Sequence, residues 1–194
     1  GDFTFSRGSN LAATRVGAGP NYYIEKGREN LLLQSNAFSA SPWSLSSATI
    51  SGGQSGYDGS NDAWLLDKTA GNGRVFQNLS SSGVQTFSVY AKAAVNDWVF
   101  LLVNGGGNPA AWFDLSTGSL GNAGGSVISH NISDAGNGWY KISISFNETI
   151  SRVRIYVADS DNNNGAASGS IYIQDAQLEV GLTSTEYIES GATK

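Results

Sequence analysis

Five aromatic residues occupy strand positions at which a solvated sheet face normally carries polar side chains. They are Tyr90, Trp98, Phe100, Trp112 and Tyr156. Sugar rings present axial C–H groups on one face, and aromatic side chains can stack on that face. Three polar residues of the same strands can hydrogen-bond sugar hydroxyl groups. They are Lys92, Asn104 and Arg154. If these strands pair in one sheet, the eight side chains form a carbohydrate-binding face.

A second interpretation of the same aromatic residues is that another part of the structure covers them. Burial of each ring would be worth about 1.5–3 kcal/mol, so exposed rings in this number indicate a partner. That partner could be a loop, a neighbouring domain or another subunit, and the last case predicts a homo-oligomer. The sequence pattern leaves both interpretations open, together with a third, in which the rings are exposed singly and have no function.

Residue types that support catalysis are scarce or scattered in this chain. It contains no Cys and one His, which makes thiol chemistry impossible and a Ser-His-Asp triad hard to assemble. The 16 acidic residues could supply a glycosidase pair, but no two of them stand out beside an aromatic cleft. The glycine clusters lack the Lys-Ser/Thr pair of a phosphate-binding loop. We therefore expect a non-enzymatic protein.

Composition excludes two classes of partner. The net charge is -5 and the isoelectric point about 4.7, which argues against a nucleic-acid-binding surface. No apolar run approaches the roughly 18–20 residues that a membrane-spanning helix needs, so we expect no membrane insertion. The chain is 40% hydrophobic and only 14% charged, with 25 Gly. That balance is typical of a folded chain with many turns and a surface of hydroxyl and amide groups.

The elements that must position these side chains are β-strands. Apolar residues recur in six main strand-like segments, separated by Gly/Asn-rich turns. The segments are 85–91, 97–104, 111–115, 140–146, 153–157 and 170–180. This spacing favours an antiparallel sandwich over a parallel fold. The alternation assigns twelve residues to the core: Phe87, Val89, Val99, Leu101, Val103, Phe113, Ile142, Ile144, Phe146, Val153, Ile155 and Val157.

The first part of the chain differs from the rest. Residues 1–28 have sparse apolar residues and hold four of the 11 basic residues, so we interpret them as an N-terminal arm or linker. Residues 29–194 then form the sandwich. The alternative is that the first segment adds an edge strand to the same domain.

Several phrases, in order along nearly the whole chain, resemble a recurrent module of bacteriophage tail, fibre and other virion-surface proteins. The phrases are Asp2–Ser9 with Ala13–Val16, Glu29–Ser35 with Phe38 and Trp43, Thr86–Lys92, Phe113–Gly118, Gly136–Ile142, Tyr172–Glu179 and Thr185–Ile188. The module is similar in fold to jelly-roll carbohydrate-binding modules. With the strand pattern, the resemblance implies an all-β, antiparallel, two-sheet, jelly-roll-like sandwich with an N-terminal arm.

The resemblance also implies a function and a location. We expect a tail-fibre or head-fibre module on the virion surface, extracellular after release, whose partner is host-surface polysaccharide. One alternative is a structural fibre or capsid adaptor, in which the aromatic face packs against another virion subunit. The other is an accessory carbohydrate-binding module of a polysaccharide-degrading enzyme.

The resemblance to jelly-roll binding modules adds one cofactor expectation, a structural calcium ion between the first and last strands. Calcium prefers oxygen ligands, which are all that this chain offers. The candidate ligands are Asp175, Glu179 and Asn30, with Asp58 or Asp62 as further candidates. No other cofactor is expected.

Overall fold

A computed structural model describes residues 28–193 and the backbone of two short strands before them. These strands, β1 (Arg15–Val16) and β2 (Tyr23–Ile24), pair with each other in a separate antiparallel sheet. The predicted arm or linker spans residues 1–28, and apart from these strands and residue 28 it lies outside the described residues, as does residue 194. The boundary predicted at residue 29 therefore stays a prediction.

Ten further strands form one antiparallel, hydrogen-bonded network. They are β3 (Trp43–Ser46), β4 (Ala48–Gln54), β5 (Ala63–Lys68), β6 (Arg74–Ala93), β7 (Trp98–Gly105), β8 (Ala110–Asp114), β9 (Ser119–Gly124), β10 (Val127–Gly136), β11 (Trp139–Ala158) and β12 (Gly169–Val180). The described residues contain no helix, and hence none of the length and apolarity needed to span a membrane. The all-β, antiparallel prediction is confirmed.

Two strands of 20 residues each, β6 and β11, run side by side and change their outer partners halfway along. Where β6 pairs with β12, β11 pairs with β10; where β6 pairs with β3, β11 pairs with β7. A register irregularity in β11 between Ile150 and Arg152 marks the change, and such irregularities bend strands. We call β4-β5-β12-β6-β11-β10 the first half-sheet and β3-β6-β11-β7-β8-β9 the second half-sheet.

Both half-sheets contribute one face to a continuous hydrophobic core. All twelve residues that the alternation assigned to the core are fully buried within it. Phe87 on β6 and Ile144 on β11 lie directly opposite each other in the first half-sheet. Val99 on β7 and Val153 on β11 contribute from the second. Because strand side chains alternate, the residues between these positions point away from the core and form the surfaces described next.

Candidate functional site

A cavity of about 490 Å³ opens on the first half-sheet. Nine residues line it: Asn36, Tyr57, Asp58, Asp62, Tyr90, Asp175, Glu186, Tyr187 and Glu189. We call it the tyrosine cavity. Its volume lies within the range of about 300–1,000 Å³ typical of small-ligand sites. Of the lining residues, only Tyr90 is predicted from the sequence to bind a carbohydrate, whereas Asp175 and, as further candidates, Asp58 or Asp62 are predicted to bind calcium.

The wall of the tyrosine cavity is a pair of parallel tyrosine rings. Tyr90 comes from β6 and Tyr57 from the turn between β4 and β5. Their ring centroids are 3.7 Å apart with an interplanar angle of 4°. Tyr57 also lies edge-on to the buried ring of Trp139, with centroids 6.5 Å apart. The wall is therefore held from behind by the packed interior.

A bulge in β12 brings two neighbouring side chains to the same turn. Between Gln174 and Gln177 the register with β6 shifts by one residue, and Asp175 has a left-handed backbone with φ of 55°. Regular alternation would send Gln174 and Asp175 to opposite faces, but a bulge re-aims a side chain. As a result, Gln174 accepts from the Tyr57 amide at 3.1 Å, and Asp175 accepts from the Tyr57 hydroxyl at 2.9 Å.

The acidic turn of the cavity is held in place by Gln174. This fully buried side chain donates to Asp62 Oδ1 at 2.8 Å and to Asp58 Oδ1 at 3.3 Å. Hydrogen bonds from Ser60 are the main cause of the lowered pKa of Asp58. The carboxylates of the turn are thus ordered in the free protein, which lowers the entropic cost of binding a ligand.

Asp175 is the one buried carboxylate of the cavity, with 6% of its surface exposed. Burial raises the pKa of Asp175 to about 7, against the opposing hydrogen bond from Tyr57 and with help from the charges of Asp62, Asp58 and Glu189. Burial and the neighbouring Asp175 charge likewise raise the pKa of Tyr57. Around neutral pH, the charge in the cavity therefore depends on pH.

The raised pKa of Asp175 predicts a pH-dependent stability. Between pH 3.8, the ordinary pKa of the side chain, and about pH 7, Asp175 keeps its proton in the native state but loses it in the unfolded chain. The contribution of Asp175 to the free energy of unfolding therefore falls as pH rises through this window. Asp175→Asn should remove that decline, and asparagine tolerates both the Tyr57 hydrogen bond and the positive φ. We expect the variant to gain stability over the parent across the window, by about 1.4 kcal/mol for each unit of pKa separation.

The measurement is urea unfolding of both proteins at several pH values. The difference between the two curves isolates Asp175 from the acidic groups with lowered pKa values elsewhere in the chain. A difference that does not change between pH 4 and 8 would show that Asp175 titrates normally.

The predicted eight-residue carbohydrate face is divided between the two half-sheets. Six members lie on the second half-sheet: Trp98, Phe100, Asn104, Trp112, Arg154 and Tyr156. Tyr90 and Lys92 lie on the first, so grouping all eight on one face was wrong. The reason is that β6 changes partners between its two ends, which period-2 alternation within a strand does not reveal. The role of each residue in ligand binding remains a prediction.

The rings of the second half-sheet pack on one another. Phe100 and Trp112 stack with centroids 3.8 Å apart, and Phe100 and Tyr156 are 5.1 Å apart. Phe100 is only 6% and Tyr156 only 5% exposed, whereas Trp98 and Trp112 are half-buried. The rings therefore form one packed aromatic cluster, in which the two tryptophan side chains are the ones partly accessible to solvent.

This surface has three further members that were not predicted from the sequence: Arg74, Phe76 and Arg152. The guanidinium carbon of Arg152 is 4.8 Å from the Phe76 ring centre, and that of Arg74 is 5.3 Å from the Tyr156 ring centre. Arg74 and Phe76 flank the core residue Val75 on β6. This alternation predicts that both side chains point outward, so the sequence pattern could have identified them. We call the surface of Arg74, Phe76, Trp98, Phe100, Asn104, Trp112, Arg152, Arg154 and Tyr156 the arginine–aromatic face.

The three candidate calcium ligands have separate structural roles. Asn30 donates its amide to the carbonyls of Ala176 and Ile188, and its side-chain oxygen accepts two backbone N–H groups. Glu179 accepts from Thr185 and from Gln177. Across the described part of the chain, no group of three or more His, Asp or Glu side chains is arranged to hold a metal ion. Calcium dependence remains a prediction.

No protein-family model matches the chain, and no curated protein matches it. Solved structures with a similar fold include the CBM22-1–GH10 modules of Clostridium thermocellum xylanase 10B in complex with xylohexaose, with 11% identity and a TM-score of 0.46. Tailspike protein 4 of bacteriophage CBA120, in its enzymatically active domain, matches with 13% identity and a TM-score of 0.45. TmCBM61 in complex with β-1,4-galactotriose matches with 15% identity and a TM-score of 0.39.

These alignments cover 84%, 79% and 77% of this chain. They span 29% and 21% of the first two structures and 97% of the third. Similarity at this level does not assign a function, which must be inferred from the chemistry of the surfaces themselves.

Proposed function

We propose that this chain is a non-enzymatic module of a bacteriophage virion surface that binds host-surface carbohydrate through the tyrosine cavity. The observation that carries the proposal is the combination, in one cavity, of the Tyr57–Tyr90 ring wall with five carboxylates. The phage context is supported by the sequence phrases that resemble virion-surface modules. The carbohydrate is supported by the chemistry of the cavity.

The lining of the tyrosine cavity suits a neutral saccharide. Sugar hydroxyl groups are hydrogen-bond donors, and carboxylate oxygens are strong acceptors for them. Asp62 and Glu189 are exposed at the cavity and Asp175 lies deeper, so acceptors are present at more than one depth. The tyrosine rings provide the apolar surface on which a sugar C–H face can stack. The concentration of negative charge disfavours an acidic ligand in the same place.

The proposal predicts different effects for two substitutions of Tyr57. Tyr57→Ala removes one ring of the stacked pair and should weaken saccharide binding by about 1–3 kcal/mol, the scale of an aromatic hot spot. Tyr57→Phe keeps the ring and loses only the hydroxyl bonded to Asp175, so it should retain most of the affinity. Calorimetry against a panel of neutral oligosaccharides, including xylohexaose and β-1,4-galactotriose, measures both.

The control is Val180→Ala, which truncates an exposed apolar side chain on β12 of the same half-sheet but outside the cavity lining. It should bind like the parent. A folded parent protein that binds no member of the panel, or a Tyr57→Ala variant that binds as well as the parent, would contradict the proposed site.

The two alternative functions predict other outcomes in the same experiments. A structural adaptor would form a stable oligomer, detected as a higher mass in light scattering, and would bind no glycan. An accessory module of a polysaccharide-degrading enzyme would bind soluble glycan as proposed here, but its ligand would be that enzyme's substrate rather than a host-surface polymer. Binding to host-surface polysaccharide extracts separates this case from the virion module.

A further inference from the structure

The arginine–aromatic face is a concentration of positive charge on an acidic protein. Arg74, Arg152 and Arg154 project from neighbouring strands β6 and β11, whereas the whole chain carries a net charge of -5. Within residues 28–193, none of the three arginines forms an ion pair with a carboxylate. Their guanidinium groups lie against Phe76 and Tyr156 instead. The charges of this face are therefore available to an external anion.

Several buried polar atoms of the same face lack hydrogen-bond partners. In the part of the chain that the structure describes, these include Arg74 Nε, Arg154 Nε and Trp112 Nε1, all donors, and the acceptor Asn104 Oδ1. Buried polar atoms without partners are rare in native proteins and lower stability. Three of the four atoms are donors, so the unused hydrogen-bonding capacity of this face is mainly for acceptor oxygens.

The two kinds of side chain on this face select one class of ligand. A planar guanidinium matches the geometry of a carboxylate and binds it through two parallel hydrogen bonds. The half-buried rings of Trp98 and Trp112 offer surface for the C–H face of a sugar. A polymer of sugars that carry carboxylate groups provides both features in repeated form.

We propose that the arginine–aromatic face is a second binding surface, separate from the tyrosine cavity, that takes an anionic polysaccharide with carboxylate groups. The two surfaces lie on different half-sheets and have opposite charge. One selects a neutral saccharide and the other an acidic one. The inference stands independently of ligand binding in the cavity.

The test uses polygalacturonate as the probe and its methyl ester as the uncharged counterpart of the same chain. We expect the parent protein to bind polygalacturonate, with weaker binding at higher salt concentration, and to bind the methyl ester at least tenfold more weakly, about the effect of one lost charged hydrogen bond. The double variant Arg74→Gln/Arg152→Gln should also lose about tenfold or more in affinity for polygalacturonate.

Two controls keep the test specific. Lys92→Gln removes one positive charge from the first half-sheet and should leave binding of polygalacturonate unchanged. Tyr57→Ala should also leave it unchanged, so a failure of the cavity and a failure of this face can be told apart. Thermal melts establish that each variant is folded.

Three outcomes would overturn the proposal. They are equal binding of polygalacturonate and its methyl ester, full binding by the folded double arginine variant, and binding of dextran sulfate without binding of polygalacturonate. The last outcome would mean that the arginines select sulfate rather than carboxylate.

Discussion

Replacement of Asp159 by alanine is expected to lower the free energy of unfolding by about 3–5 kcal/mol, the usual cost of breaking a buried ion pair. Asp159 accepts a hydrogen bond from the ammonium group of Lys68, whose side chain is fully buried on β5. Without Asp159, that ammonium group stays in the interior with no counter-charge. Asn96 Nδ2 and the Ala166 amide, which also donate to Asp159, cannot accept a hydrogen bond from the ammonium group in its place.

The partner substitution should cost less. Lys68→Met keeps an apolar chain of similar length, and the remaining Asp159 carboxylate is 14% exposed with the donors from Asn96 and Ala166 still in place. We therefore expect Lys68→Met to be less destabilising than Asp159→Ala in urea unfolding. Asp67→Ala, which removes an exposed carboxylate from the same strand, serves as the control and should change stability by less than about 0.5 kcal/mol.

The effect of Asp159→Ala should also depend on pH. Burial by itself would raise the pKa of Asp159, but hydrogen bonds from Lys68 and Ala166 and the Lys68 charge outweigh it, and the net direction is down. A lowered pKa contributes stability that is present above the ordinary carboxyl pKa and is lost as pH falls through the native value. The gap between parent and variant should thus narrow in acid. A gap below about 1 kcal/mol at neutral pH would show that the pair does not hold β5 to the 159–166 loop.

The second large effect is expected from truncation in the core. Phe87→Ala or Ile144→Ala should each lower the free energy of unfolding by about 3–5 kcal/mol, because each leaves a cavity that a packed sandwich fills only in part. Both side chains have no exposed surface. Since they are directly opposite across β6 and β11, the two substitutions share one cavity and the double variant should deviate from additivity.

Chemical denaturation of the parent, the two single variants and the double variant measures these effects. Val95→Ala is the control, because Val95 is 79% exposed and its truncation should change stability by less than about 0.5 kcal/mol. A loss below about 1 kcal/mol in either single variant would mean that the inward and outward faces of these strands had been assigned the wrong way round.

The twelve core residues were predictable because their signal is local. In a strand, successive side chains point to opposite faces, so Phe87, Val89 and their counterparts on other strands could be sorted by period alone. The same rule placed Tyr90 and Tyr156 on outward faces, where the structure has them. It does not state which strands are neighbours, and the exchange of partners by β6 separates those two tyrosines.

The tyrosine cavity was not predictable for the same reason. Tyr57 and Asp175 are 118 residues apart, and they meet because β12 pairs with both β5 and β6 and bulges at that position. A bulge depends on one extra residue in one strand, and the apolar positions of β12 do change phase there, from Ile171 and Ile173 to Ala176 and Leu178. That change of phase does not state which residues from other strands and turns will meet at the bulge. The assignment of Asp175 as a calcium ligand came from the resemblance to jelly-roll binding modules together with its position in the last strand.

By itself, the sequence determined the fold class and the inward or outward direction of most strand residues, because alternation and turn chemistry act over a few neighbouring residues. It also determined an acidic chain without thiols, on which any ligand would meet aromatic, carboxylate, amide and guanidinium groups. Only the tertiary structure decided how those groups combine. The exchange of partners by β6 and β11, and the pairing of β12 with β6 across the bulge, join residues that are far apart in the sequence. These pairings place Tyr57, Tyr90 and Asp175 in an acidic cavity. They also bring Arg74, Arg152 and Arg154 together on a separate, positively charged face.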